Sequence, residues 1–205
     1  PRNIKAIDVQ LKLLESNASI ANYIFLDIPK TNSDWSSAQI ASTYAYLVGY
    51  GNGNFGINDN LTREQMAVIL IRLLKETPSA KTISSFTDVD SNGYAHPSIE
   101  RLYELKVTGG CQASPLKFCP TSSLTKEQLA AFVIKVLKVD ISQYPILPYY
   151  SDVASGYLFY PHIQKLAELG IMKECSDLNG VKNFCPSQNV TRSYVAEVIK
   201  EIVSY

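Results

Sequence analysis

Phe55-Gly56-Ile57-Asn58-Asp59-Asn60-Leu61-Thr62-Arg63-Glu64-Gln65-Met66-Ala67-Val68-Ile69-Leu70 is a polar loop that passes into an apolar run at a threonine. The arrangement returns twice: Phe118 stands seven residues before Thr125, and Phe184 seven before Thr191. The apolar runs behind them are Leu129-Ala130-Ala131-Phe132-Val133 and Val195-Ala196-Glu197-Val198-Ile199. A threonine opening such a run reads as a helix N-cap. Thr62 with Gln65, and Thr125 with Gln128, form capping boxes. Thr191 is followed at that spacing by Tyr194, so its box is incomplete.

Upstream of each loop lies an aromatic-x-aspartate: Phe25-Leu26-Asp27, Phe86-Thr87-Asp88 and Tyr150-Ser151-Asp152. The aspartates at 27, 88 and 152 are 61 and 64 positions apart, so the period is about 60 residues, and a repeat of this length sets the whole fold. Between aspartate and loop, Ile99, Leu102 and Tyr103, and likewise Ile163, Leu166 and Ala167, follow helical spacing. Pro97 and Pro161 suit the first turn of that helix, where a missing N–H costs nothing. The reading is mainly α: three helix–loop–helix repeats burying their apolar faces on one another in a compact pseudo-threefold body. The expected boundaries are 24–78, 79–143 and 144–205, with proline-bearing linkers at 76–85 and 140–148.

The four cysteines fall in two close pairs, Cys111 with Cys119 and Cys175 with Cys185. Aligned on Phe and Thr, Cys119 and Cys185 fall on Gly56; aligned on the end of the preceding helix, Cys111 and Cys175 fall on Gly51. The first repeat thus lacks both partners while the others have both, which a disulfide within each loop predicts. The C-x7-C and C-x9-C spacings are longer than zinc knuckles use, so no metal is expected.

These residues resemble the S-layer homology family. The matching motifs are Phe86-Thr87-Asp88-Val89, Leu169-Gly170-Ile171, Phe118-Cys119-Pro120, Thr62-Arg63-Glu64-Gln65 and Thr191-Arg192, in register from about Phe25 to Tyr205. The resemblance implies a three-pronged helical domain that holds surface proteins to the cell envelope by binding a wall polysaccharide or peptidoglycan in grooves between repeats. It implies no catalysis and no cofactor, and a location on the cell exterior. Carried over, the motif cations are Arg63, Lys126 and Arg192. The first-helix aromatics are Trp35 and Tyr94, with Leu158 at that place in the third repeat, and Asp27, Asp88 and Asp152 open the repeats. The chemistry fits an anionic glycan. A guanidinium grips a carboxylate through two N–H groups, sugar faces stack on aromatic rings, and a helix N-terminus favours an anion. Lys126 cannot reproduce the two-pronged contact, which predicts a weaker second groove. The cysteines are not part of the general family pattern.

The remaining features are less specific. Nineteen basic and nineteen acidic side chains cancel, which argues against nucleic acid as a partner. No apolar run approaches the about 18 residues of a membrane span. Gly51-Asn52-Gly53-Asn54-Phe55-Gly56 spells G-x-G-x-x-G, but a helix rather than a strand precedes it. The asparagine-rich loop at 52–60 lacks ordered calcium-ligand spacing. His96 and His162 have no nucleophile placed to work with them. The chain opens on Pro1, not Met, and reads as a processed or trimmed product. Residues 1–23 stand outside the repeats. Ile7-Asp8-Val9-Gln10-Leu11-Lys12-Leu13 alternates as a strand does, and with a second run at 20–25 it reads as a β-hairpin or strand extension, the alternative being a helix through Ile4, Ile7, Leu11 and Leu14. Such an arm could pair with another copy, giving a homo-oligomer, filament or surface layer.

Overall fold

The computed structural model describes residues 25–29, 31–43, 45–143 and 148–204; the N-terminal hairpin expected at 1–23 lies outside them. The helices are α1 (Trp35–Thr43), α2 (Arg63–Leu74), α3 (His96–Glu104), α4 (Lys126–Leu137), α5 (Tyr160–Glu168) and α6 (Arg192–Ser204). Two short hairpins interrupt the loops. In one, β1 (Gln112–Ala113) pairs with β2 (Leu116–Lys117); in the other, β3 (Ser176–Leu178) pairs with β4 (Val181–Asn183), both antiparallel.

The capping residues act as their types dictate. Thr62 closes a full box with Gln65, and the Gln128 side chain accepts from the Thr125 N–H at 3.4 Å. Thr191 Oγ1 accepts from the Tyr194 N–H at 3.3 Å. Pro97 and Pro161 sit in the first turns of α3 and α5. Both α2 and α4 end on a lysine in the left-handed conformation, Lys75 and Lys138.

The helices pack across the repeat boundaries: α2 on α3, α4 on α5, and α6 back on α1. At the centre three backbone segments bond in a ring. Leu61 N–H donates to the Val190 carbonyl (3.0 Å), Val190 N–H to Leu124 (2.8 Å), and Leu124 N–H to Leu61 (2.9 Å). All three side chains are buried, as are Phe55, Phe86, Phe118 and Phe184 around them. Full burial of each such side chain contributes about 1.5–3 kcal/mol.

The aromatic-x-aspartate motif serves this core twice. Its ring packs edge-on or tilted against the loop phenylalanine: Phe25 on Phe55 at 5.1 Å, Phe86 on Phe118 at 5.5 Å, Tyr150 on Phe184 at 5.2 Å. Its carboxylate accepts from two successive loop N–H groups. Asp27 takes Phe55 and Gly56 (2.7 and 2.6 Å), Asp88 takes Phe118 and Cys119 (both 2.8 Å), and Asp152 takes Phe184 and Cys185 (both 2.7 Å). The motif is itself held from the next helix. Buried Glu100 on α3 accepts from the Ser85 N–H (2.8 Å) and hydroxyl (2.7 Å), and Gln164 on α5 accepts from the Tyr149 N–H (2.9 Å).

Cys111 is bonded to Cys119 and Cys175 to Cys185, each disulfide closing the base of one hairpin, as expected. Gly56, Cys119 and Cys185 share a left-handed backbone, with φ of +78°, +58° and +58°. The other alignment is corrected. Cys111 and Cys175 donate their N–H to the residue before the loop phenylalanine, Lys117 and Asn183, and in the first repeat it is Tyr50, donating to Asn54, that does so. Tyr50, not Gly51, therefore stands where the others have cysteine. A Cβ on Gly56 would lie 2.6 Å from the Tyr50 ring, so the tyrosine occupies the space a disulfide fills elsewhere. Counted from the helix ends at Thr43, Glu104 and Glu168, each of the three positions lies seven residues on.

Candidate functional site

The motif cations stand at the first position of α2, α4 and α6, and all three turn inward. Arg63, Lys126 and Arg192 are 4%, 3% and 5% exposed. Each reaches the loop of the following repeat, and the last returns to the first. Arg63 Nε donates to the Phe118 carbonyl (2.8 Å) with its guanidinium 4.9 Å from that ring. Arg192 Nε donates to Phe55 (2.7 Å) and Nη2 to Val48 (2.6 Å), while its guanidinium lies 4.6 Å from the Tyr50 ring. Lys126 Nζ donates to the Lys173 carbonyl (2.9 Å) between the rings of Phe184 (4.5 Å) and Tyr194 (4.6 Å). The backbone follows the same course. The first N–H groups of the three helices donate to Ser122 and Pro120, to Gln188 and Pro186, and to Asp59 and Ile57. The helix ends that the sequence reading offered to an anion are thus taken by neighbouring carbonyls.

Burial sets the electrostatics. It lowers the Arg63 and Arg192 guanidinium pKa values, opposed by Asp88 at the first and by Tyr50, Asp59 and Asp27 at the second. It brings the Lys126 ammonium down to about 8, against the pull of Asp152, Glu174 and Glu197. Burial alone pushes the Asp27 carboxyl up, but the N–H groups of Phe55 and Gly56 outweigh it and leave it below its ordinary value. Asp88, Cys111 and Cys119 come together as a metal site would, yet both sulfurs are in the disulfide and both carboxylate oxygens hold backbone N–H groups.

The aromatics separate. Trp35 opens α1 and packs edge-on against Phe25 at 6.1 Å. Tyr94 lies in the turn ahead of α3, 65% exposed, rather than on the helix. The turn bonds that start the helices run from Trp35 to Asn32, His96 to Gly93 and Tyr160 to Tyr157. Trp35 therefore corresponds to His96 and Tyr160, and Tyr94 to Ser33 and Leu158. Three exposed tyrosines flank the cation-bearing helix starts. Tyr94 interacts with Glu64, which with burial raises its phenol. Tyr157 donates to Glu127, which pushes its phenol up to about 12, and Tyr50 covers Arg192.

One junction contains a cavity of about 240 Å³, lined by Lys126, Glu174, Cys175, Asn189, Thr191 and Tyr194. Tyr194 and Glu174 were not singled out from the sequence. The signal for Tyr194 was the incomplete capping box, since a glutamine there would leave only the Phe184 ring beside Lys126. Glu174 had no such signal. Its counterparts are Gly49 and Gly110, where a Cβ would meet Phe25 at 2.9 Å and Phe86 at 3.0 Å.

Among the described residues no helix is long and apolar enough to cross a membrane. Over 207 residues the chain is 28% identical to an endoglucanase of Bacillus sp. (strain KSM-635), a match covering 98% of this chain and 21% of that protein. Over 119 residues it is 33% identical to a cell surface protein of Thermoanaerobacter kivui, covering 55% of this chain and 15% of that one. The chain thus spans about a fifth or less of the length of these curated relatives. Residues 24–67 match the S-layer homology domain, a kind of module that generally binds cell-wall polymers.

Proposed function

We propose that the chain is a cell-surface anchor built of three S-layer homology repeats in a pseudo-threefold ring, which holds its protein on the cell exterior by binding an anionic wall polysaccharide without catalysis. The observation that carries this reading is the family match over residues 24–67. Its extension to all three repeats is supported by the recurrence of the aspartate clamp, the buried loop phenylalanine and the inward motif cation. The cell surface protein of T. kivui, related over 55% of this chain, is consistent with an exterior location. The sugar-facing surfaces are the exposed tyrosines at the junctions, Tyr50, Tyr94 and Tyr157, whose rings suit the apolar faces of sugars. Under this reading the aspartates shape the loops and do not touch the glycan.

The test is co-sedimentation of the purified chain with cell walls, intact or stripped of their anionic polysaccharide. Binding to intact walls, lost on stripping, is expected. Retention on stripped walls would move the partner to peptidoglycan, and failure to sediment with either would refute the anchor reading.

A further inference from the structure

Asn-Gly occurs three times in the chain, at Asn52-Gly53, Asn92-Gly93 and Asn179-Gly180. Glycine carries no Cβ to shield the backbone nitrogen that follows the asparagine. That nitrogen can attack the asparagine side chain once its proton has somewhere to go. The three sites differ in what holds the proton. The Gly53 N–H donates to the Tyr50 carbonyl (3.1 Å) and the Gly93 N–H to the Asp90 carbonyl (2.9 Å), and a carbonyl is a poor base. The Gly180 N–H donates to the Asp177 carboxylate at 3.0 Å, within the reach of a general base.

Packing separates them the same way. A Cβ on Gly53 would lie 3.2 Å from Leu26, and one on Gly93 3.0 Å from the Asp90 carbonyl oxygen, whereas one on Gly180 would meet nothing within 4 Å. Asn179 and Gly180 are the two turn residues of the β3–β4 hairpin, exposed and left-handed, with φ of +54° and +82°. Their neighbours Leu178 and Val181 are 69% and 53% exposed, so the turn can rotate toward the attack geometry without uncovering core. The Cys175–Cys185 disulfide holds the base of the hairpin while the tip moves.

We propose that Asn179-Gly180 is a self-modification site, at which Asp177 acts as general base in converting Asn179 to aspartate and isoaspartate with water as the only co-reactant. The Gly180 nitrogen bonds to the carbonyl carbon of the Asn179 side chain as its proton passes to Asp177. The bond from that carbon to the side-chain nitrogen breaks, the nitrogen leaves as ammonia with the bonding electron pair and the proton from Asp177, and a five-membered cyclic imide remains. Water opens the imide at one carbonyl or the other. Nothing is oxidised or reduced, and the net change is an amide exchanged for a carboxylate. The product sets a negative charge between the two exposed apolar side chains at the tip. Isoaspartate also lengthens the backbone by one atom, which a two-residue turn does not accommodate. The site is independent of wall binding.

The experiment incubates the full, disulfide-bonded chain near neutral pH and follows the three asparagines, which fall in separate tryptic peptides, by mass spectrometry. Asn179 should convert at least about tenfold faster than Asn52 and Asn92, short of the about 10²–10⁴ of an enclosed general base because the tip is open to water. In the reduced chain unfolded in guanidinium the three rates should converge, below the folded rate at Asn179. Asp177→Asn keeps an acceptor for the Gly180 N–H and removes the base. With its fold checked by circular dichroism, conversion at 179 should drop about tenfold while the other two sites do not change. Equal folded rates at the three sites, an Asn179 that reacts more slowly folded than unfolded, or an undiminished rate in Asp177→Asn overturns the proposal. The first two readouts need no variant.

Discussion

Replacing Arg192 with alanine separates two roles for the motif arginine. The family resemblance gives it to the glycan, which predicts lost wall binding on an intact fold. The structure gives it to the closure of the ring. Its side chain joins residues 137 and 144 positions apart, through bonds of 2.7 and 2.6 Å to the Phe55 and Val48 carbonyls. Hydrogen bonds from a charged donor contribute about 1.5–3 kcal/mol each, so the two together are worth about 3–6 kcal/mol. Water entering the vacated space can satisfy the carbonyls in part, so the lower end is the expectation. Stacking on Tyr50 and Phe55 adds to it. In a chain of this size each kcal/mol moves the midpoint by about 2–4 °C, so Arg192→Ala should lower Tm by at least about 6 °C. Arg192→Lys should lose about half as much, because Lys126 at the same position makes one carbonyl bond. Lys200→Ala is the control. Its bond to Ser36 (3.3 Å) is exposed and crosses the same α6–α1 seam, so the loss should stay below about 1 kcal/mol. Thermal and urea unfolding by circular dichroism, paired with wall sedimentation, reads all three variants. An Arg192→Ala chain with wild-type Tm and no wall binding would refute the structural role.

Three further outcomes follow from the same contacts. Tyr50→Cys with Gly56→Cys should form a third disulfide, seen by mass spectrometry of an unreduced digest, while Gly56→Cys alone should destabilise, because its Cβ meets the Tyr50 ring. Asp88→Asn offers one acceptor to two N–H groups and should cost about 1.5–3 kcal/mol, read as a Tm loss of about 3–12 °C. At Glu100, burial pushes the carboxyl up, but the Ser85 hydroxyl and N–H and Lys81 outweigh it and leave it below its ordinary 4.5. A carboxyl lowered in the folded state contributes stability above its unfolded pKa and loses it as pH falls through the folded value. Glu100→Gln should therefore be less stable at pH 7 and show a flatter loss between about pH 5 and pH 3 in urea unfolding.

What was legible in the sequence was local. The threonine caps, the helix prolines and both disulfides depend on residues within about ten positions of one another, and each left a pattern. The aspartates were legible as markers but not in their use, because a carboxylate that clamps a loop and one that meets a ligand look alike in sequence. The bond from Arg192 to Phe55 spans 137 positions and exists only because the chain closes on itself, which no local period reveals. Tyr50 was missed for a smaller reason. The end of the preceding helix is not marked in the sequence, and placing it one residue late in the first repeat put Gly51 where Tyr50 stands. Tyr94 was matched to Trp35 because both are aromatic, and the turn bonds decide otherwise.

The position where a repeated sequence departs from itself locates the chemistry better than the repeat does. The side chain at each motif position donates to a backbone carbonyl of the next junction, and three such charged struts build the ring. At Lys126 the chain substitutes a side chain with one carbonyl bond, and at Tyr194 it replaces the capping glutamine with a ring that faces the ammonium. The first change leaves an ammonium whose pKa burial lowers to about 8, and the second sets a ring beside it. Both residues also hold the fold: Lys126 bonds the Lys173 carbonyl between the rings of Phe184 and Tyr194, and the Tyr194 hydroxyl donates to that same carbonyl at 3.4 Å.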